Sequence, residues 1–282
     1  MTLEKLIEKT AERFKAARLH YGHGTENARD EAAFLVLRGL GLPFSADLSC
    51  PADPRRIEAL VRKRIKERMP VAYLLNEAWL DGLAFHVDRR VIIPRSHIAF
   101  VLEDLRIAPR RILDLCTGSG CLAILAARAF PRAHVDASDV SAAALEVAAR
   151  NVRRHKLGKR IRLVRSDLFA ELEQPYDLVL SNPPYVSTPS MRKLPREYRY
   201  EPGIALAGGR QGLDYVARIL EAAPRYLKPG GLLICEIGEN RKALERAYPQ
   251  TGFLWPRHEV FTLAASRTAA ASRTPPTRPG AR

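Results

Sequence analysis

The chain is short of acid. Asp and Glu total 31 against 46 Lys and Arg, a formal net charge of +15 over 282 residues, and Arg supplies 36 of those cations. Cysteine is scarce too: Cys50, Cys116, Cys121 and Cys235 form no C-x-x-C pair and have no His at zinc spacing. A disulfide scaffold is therefore excluded. No structural metal is expected, even at His20 and His23, and the thiols read as small buried apolar groups in a reducing compartment. No apolar run approaches the roughly 18 residues that span a bilayer. Residues 1–10 lack the apolar core of a signal peptide, so a cytoplasmic location and no membrane partner are expected. With 46% hydrophobic and 27% charged residues the composition is that of a globular protein, not collagen or a disordered chain. The excess charge has two readings, a polyanionic partner such as RNA or a coding bias toward Arg.

Four regions follow. Residues 1–82 read as a helical domain. Leu3, Leu6, Ile7, Phe14 and Leu19, then Ala33, Leu35, Val36 and Leu40, recur near helical spacing. Asp53 and Pro54 look like the cap and first residue of a further helix. That helix carries Arg55, Arg56, Arg62, Lys63, Arg64, Lys66 and Arg68, expected mostly as a solvated face. Residues 83–109 read as a hairpin and linker, with strands at 83–87 and 90–93 around Asp88. Residues 110–265 alternate strand and helix, which implies an α/β, Rossmann-like doubly wound parallel sheet covered by helices on both faces. Residues 266–282 hold four Arg, no acid and no apolar period, and are expected to be a disordered tail.

The chemistry concentrates at strand ends. Asp114-Leu-Cys116-Thr117-Gly118-Ser119-Gly120 lies between a strand and an Ala/Leu helix. Its glycines permit a tight turn with close ligand approach. No third glycine fits a dinucleotide fingerprint and no Lys-Ser/Thr completes a phosphate loop. An acid, Asp114, stands there instead, which favours a ligand with a cationic end. Asp139 ends the next strand, where a carboxylate accepts from ribose hydroxyls. Asp167 ends the third and suits an adenine amino group, with Leu168 and Phe169 against the ring. Any one of these acids alone is a common cap or turn residue. The ordered set fits a nucleoside with a positive tail, S-adenosylmethionine.

After the fourth strand stands Asn182-Pro183-Pro184-Tyr185. The prolines restrict the backbone and contribute no N–H. This leaves the Pro183 carbonyl and the Asn182 side-chain oxygen as fixed acceptors for both hydrogens of a planar NH2 group, with Tyr185 offering a flat face. Such positioning sets the nitrogen for methyl transfer. The alternative is a structural Pro-Pro turn.

These two motifs resemble those of amino methyltransferases that act on planar NH2 groups. Pro70-Val-Ala-Tyr-Leu, Gly82-Leu-Ala-Phe, Ile93-Pro-Arg95 and Glu201-Pro-Gly-Ile-Ala-Leu206 are similar to the protein glutamine methyltransferase family, which modifies release factors or a ribosomal protein. Tyr21-Gly-His-Gly-Thr-Glu-Asn27, Asn76-Glu-Ala-Trp79 and Ile93-Pro-Arg-Ser96 resemble the branch acting on large-subunit ribosomal protein three. The release-factor branch usually reads Pro-Asp-Thr-Glu where this chain has Ser96-His-Ile-Ala99. The resemblance covers about residues 2–263. It implies a class I methyltransferase fold, contacts from 116–120, Asp139, Leu168 and Asn182 to S-adenosylmethionine, and from Asn182 to Tyr185 to the substrate glutamine. Leu168 stands where relatives often carry Trp, and Asp81 departs from the pattern. Release factors as substrate, a nucleic-acid amino methyltransferase that takes a flipped base, and a non-catalytic assembly factor are the competing readings. Residues 150–165, with eight Lys or Arg and no acid, and the Arg55–Arg68 helix are candidate ribosomal RNA contacts.

Overall fold

The computed structural model describes residues 1–173 and 175–265; the expected tail, 266–282, lies outside them. The N-terminal region holds α1 (Leu3–Ala16), α2 (Ala28–Gly39), α3 (Arg55–Glu67) and the short α4 (Val71–Leu75). Thr2 caps α1 and Asn27 caps α2, each accepting from backbone N–H groups of the first turn. On α3 the expected start shifts by one residue. Pro54 is the cap position, while the Asp53 carboxylate accepts from the Arg55 N–H at 3.0 Å. The apolar faces of these helices enclose Leu6, Phe14, Leu35, Val36, Ile57 and Val61.

The hairpin differs from the expected one. Its strands are β1 (Ala78–Leu80) and β2 (Leu83–Phe85), paired antiparallel around Asp81 and Gly82. Both turn residues have positive φ, +49° and +67°, the conformation that a two-residue Asp-Gly hairpin turn requires. Residues 90–93, expected as a strand, instead run as an irregular strap. A turn at Asp88 precedes it, where the Asp88 carbonyl accepts from Val91 N–H.

The chain then forms α5 (Ile98–Asp104), β3 (Arg111–Leu115), α6 (Cys121–Ala129), β4 (His134–Asp139), α7 (Ala142–Arg154), β5 (Ile161–Arg165) and β6 (Tyr176–Ser181). These are followed by the single turn α8 (Thr188–Met191), α9 (Asp214–Tyr226), β7 (Leu227–Glu236), α10 (Arg241–Ala247), β8 (Leu254–Arg257) and β9 (Val260–Ala264). Among the described residues one seven-stranded sheet has the order β5-β4-β3-β6-β7-β9-β8. The five strands from β5 to β7 are parallel. β9 is antiparallel to β7, and β8 to β9. The expected all-parallel sheet thus ends in an antiparallel pair, and β8, short and largely exposed, gave no apolar run to read. Strand order reverses between β3 and β6, so the loops after these strands diverge and leave a crevice at their carboxyl ends.

The thiols divide. Cys121 and Cys235 are buried and Cys116 is partly so, but Cys50 is exposed, because it sits on the loop that leads to α3 rather than on a packed face.

Candidate active site

The turn after β3 is held from beneath. Asp114 is 1% exposed, and its Oδ2 accepts from the Thr117 hydroxyl at 2.5 Å and from the Ala123 N–H at 3.0 Å. Its Oδ1 is buried without a partner among the described residues, and burial pushes the carboxyl up to about 7. Cys116, Gly118 and Gly120 all take positive φ. At Gly120 a Cβ would stand 3.2 Å from Ala148 Cβ, so glycine lets α7 pack closely. Asn151, fully buried on α7, donates to the carbonyls of Ser119 (2.8 Å) and His86 (2.9 Å) and accepts from the His86 N–H (2.7 Å). It ties the turn to the strap that follows the hairpin. In the sequence it reads only as the end of a helix.

Asp139, at the end of β4, accepts from the N–H groups of Gly118 and Ser141, each at 2.9 Å. Burial raises its carboxyl pKa against those hydrogen bonds. It lines an open cleft together with Cys116, Gly118, Asp167, Leu168, Asn182 and Pro184. Leu168 has φ +50° and is pinned through its carbonyl by the Ser166 hydroxyl at 2.7 Å. Asp167 sits on the rim, half exposed and paired with Arg218 at 2.8 Å. The remaining candidates lie behind the wall. Asp114, Thr117, Ser119 and Gly120 brace the turn. Phe169 stacks on Tyr226 with ring centroids 4.5 Å apart, away from the position expected for an adenine. Pro183 is buried and Tyr185 faces inward.

The Asn182 side chain has no hydrogen-bond partner among the described residues, although it stands on the cleft wall. Tyr185 is locked. Its hydroxyl donates to Glu236 at 3.3 Å, and its carbonyl accepts from Asn240 Nδ2 at 2.8 Å. Glycines close around it: a Cβ on Gly208 would fall 2.6 Å from Tyr185 Cα, and one on Gly238 2.7 Å from Tyr185 Cε2. Glu236 is buried and raised in pKa by that burial. It also accepts from the Ser96 hydroxyl at 2.6 Å and the His97 N–H at 2.9 Å.

Several wall residues carry no chemistry a sequence could flag: Arg90, Val91 and Ile92 of the strap, Ile204 and Ala205 of the opposite rim, and Tyr215. The two rims are joined by Glu201. Its fully buried carboxylate accepts from Ile93 N–H (3.0 Å) and from both Arg95 terminal nitrogens (2.5 and 2.8 Å). Glu201 therefore braces the loop and is not a wall residue. The resemblance motifs Ile93-Pro-Arg95 and Glu201-Pro-Gly were its only signal.

Residues 98–194 match the family described as Methyltransferase small domain. Among curated proteins, the ribosomal protein uL3 glutamine methyltransferase of Bordetella pertussis is 51% identical over 90% of both chains. Those of Bradyrhizobium diazoefficiens and Neisseria meningitidis serogroup B are 45% and 46% identical over 94% and 90% of this chain, and 91% and 88% of theirs. The chain belongs to the ribosomal protein uL3 glutamine methyltransferase family. Solved structures show the same fold at low identity. A Pyrococcus furiosus methyltransferase has a TM-score of 0.50 at 19% identity over 75% of this chain and 98% of its own. The hMettl16 catalytic domain has 0.52 at 20% over 66% and 76%. In this family setting the seven-stranded sheet is the class I methyltransferase sheet, and the cleft lies at its switch point.

The donor set fits S-adenosylmethionine. Asp139 offers a carboxylate beside the flexible glycine turn, while Val140, Leu168, Pro184 and Tyr215 offer apolar walls. The orphaned Asp114 Oδ1 beneath the turn is an acceptor suited to a cationic donor.

Proposed function

We propose that this protein methylates the side-chain amide nitrogen of a glutamine in ribosomal protein uL3, with S-adenosylmethionine as donor. One observation carries the proposal: an unpartnered Asn182 side chain on the wall of the cleft that Asp139 and the Gly118 turn also line. When bound, S-adenosylmethionine supplies an electrophilic methyl on a sulfonium. The 116–120 turn, Asp139 and Leu168 hold it. The Asn182 side-chain oxygen and the Pro183 carbonyl accept the two amide hydrogens and orient the nitrogen. Tyr185, fixed through Glu236 and Asn240, keeps those acceptors in place. An alkylated amide nitrogen is acidic enough to give its proton to water, so the step requires no side-chain base. The cleft carboxylates have other duties: Asp139 holds Gly118 and Ser141, and Asp167 pairs with Arg218. Contact with ribosomal RNA and a cytoplasmic place of action belong to the same reading. Among the described residues no helix is long and apolar enough to cross a membrane.

The test is incubation with methyl-labelled S-adenosylmethionine and uL3, a release factor or ribosomal RNA, with fragment mass spectrometry of the products. A single methylglutamine in uL3 is expected. Label in the release factor alone would move the substrate to the other branch, and label in RNA alone would overturn the amide reading.

Two further outcomes follow. Asp139→Ala should raise the S-adenosylmethionine Kd by about tenfold to a hundredfold, as expected for lost hydrogen bonds to a charged group. Turnover at saturating cofactor should change less; calorimetry and steady-state rates separate the two. Gly208→Ala places a methyl group against the Pro184–Tyr185 backbone. A displacement near 1 Å there should lower kcat by about a hundredfold, and because the atoms met are backbone the variant should also melt below the parent.

A further inference from the structure

The cleft opens where β3, β4, β5 and β6 end. The segments entering β3, β4 and β5 lie at the opposite edge of the sheet, one strand length away. For the five residues of β3 or β5 that is roughly 17 Å at about 3.3 Å per residue. Those segments are 105–110, 126–134 and 150–160. They meet one another: the Arg110 carbonyl accepts from His134 N–H and the Arg160 carbonyl from Val135 N–H, both within 3.0 Å, and the Arg160 guanidinium bonds the Ala127 carbonyl at 2.5 Å. None of the three contains an acid.

Their cations divide into two kinds. Arg160 and, on β5, Arg162 are used internally, the latter on Asp136, while Arg106 bonds the Glu103 carbonyl, Arg150 meets His86 and Arg154 pairs with Glu77. Arg110, Arg128, Arg132, Arg153, Lys156 and Lys159 are exposed, and their side chains have no hydrogen bond or ion pair among the described residues. The other basic element, α3, is different. Arg55 pairs with Asp53, Arg62 with Glu58, and Arg64 and Arg68 with Glu197, so half of its charge is already met.

We propose that this far edge of the sheet is a docking surface for the phosphate backbone of RNA, and that it tethers the enzyme without presenting a base to the cleft. Unpaired cations without intervening acids complement a polyphosphate. A lipid surface calls for apolar side chains among the cations, and of the exposed large apolar residues only Ile107 falls in these segments. The distance from the cleft assigns the role. A nucleotide on this surface is a strand length from Asn182, so the contact acts on residence near a ribosomal substrate rather than on chemistry. This tethering role rests on the uL3 reading.

The test compares the full chain with the fourfold variant R132Q, R153Q, K156Q and K159Q, whose side chains brace nothing. Binding of a labelled ribosomal RNA fragment is measured across a salt series, alongside methylation of RNA-free uL3. The parent should bind with a steep salt dependence. In the variant the slope of log K against log salt should be shallower by about 3, since each phosphate contact contributes about 0.7–0.9. Methylation of free uL3 should be equal in both. Equal RNA binding and slope would overturn the proposal, as would binding to phosphatidylglycerol vesicles without RNA binding. A variant that loses methylation of free uL3 would overturn it too, by showing that the patch acts on the reaction itself. A parent that binds RNA and leaves uL3 unmethylated would sink the substrate assignment and leave the surface standing.

Discussion

Asn182→Ala is expected to lower methyl transfer by about a thousandfold while the S-adenosylmethionine Kd rises only a few-fold. The amide lone pair is delocalised, so the nitrogen must be held by both hydrogens to meet the methyl in line. Removing one of two fixed acceptors forfeits that orientation and leaves the NH2 group free to rotate. Losses of 10²–10³ are typical when one aligned hydrogen-bonding group of a reacting centre is deleted, about 2.7–4 kcal/mol. Cofactor affinity is spread over the 116–120 turn, Asp139 and Leu168, and Asn182 contributes one wall contact among many. Single-turnover rates with labelled cofactor read the first effect and calorimetry the second. Equal loss in both would show that Asn182 serves the cofactor and not the substrate amide.

Much of this site could be read from residue order alone. A strand that ends in an acid and runs into Gly-Ser-Gly can only turn sharply, and Cys116, Gly118 and Gly120 do so at positive φ. Asp139 and Asn182 end strands, and parallel pairing of β4 with β3 and of β3 with β6 brings those ends into one crevice. What stayed hidden depends on distant partners. Asp114 and Asp139 have the same local signature, yet one lies under the turn and the other on the cleft, because Thr117 folds back over Asp114. Asp167 stands two residues past the end of β5 rather than on it, and is drawn to Arg218 on α9, 51 residues later. Phe169 is turned toward Tyr226 of the same helix. The strap at 90–93 has strand-like composition but no neighbouring strand. Its Ile93 N–H bonds Glu201, 108 residues away, and its Val91 carbonyl accepts from the Tyr73 hydroxyl; no local pattern encodes those partners.

Arg64→Ala should be the most destabilising single change in the N-terminal region, by about 3–5 kcal/mol, the usual cost of stripping one partner from a buried ion pair. The α3 cations read as a solvated face, yet Arg64 is fully buried. It bonds Glu31 through Nε and Nη2, Glu197 at 3.4 Å and the His20 carbonyl at 2.8 Å. The misreading has a physical cause. Arg64 follows Ile57 and Val61 at helical spacing, on the apolar stripe rather than opposite it, and its two acids come from α2 and from a turn 133 residues on. Without the guanidinium, Glu31 remains buried with no cationic partner, while Glu197 keeps Arg68 and the His20 N–H. Burial already raises the Glu31 pKa against the pull of Arg64, while Glu197 sits below its ordinary value. In the variant the Glu31 carboxyl, already raised by burial, rises further because the opposing Arg64 is gone. The sign then follows: stability is retained while Glu31 is protonated and is lost as pH climbs from its unfolded pKa through the raised one. Thermal melts should therefore separate parent and variant more widely at pH 8 than at pH 5, and Arg64→Met should show the same trend, since it restores bulk but not charge. The consequence reaches the cleft. Glu197 also accepts from the His20 N–H at 3.0 Å, and it lies four residues before Glu201, which pins the strap to the Ile204 rim. Loosening Arg64 frees that rim, so below the melting range the variant should raise the KM for uL3 more than it lowers kcat.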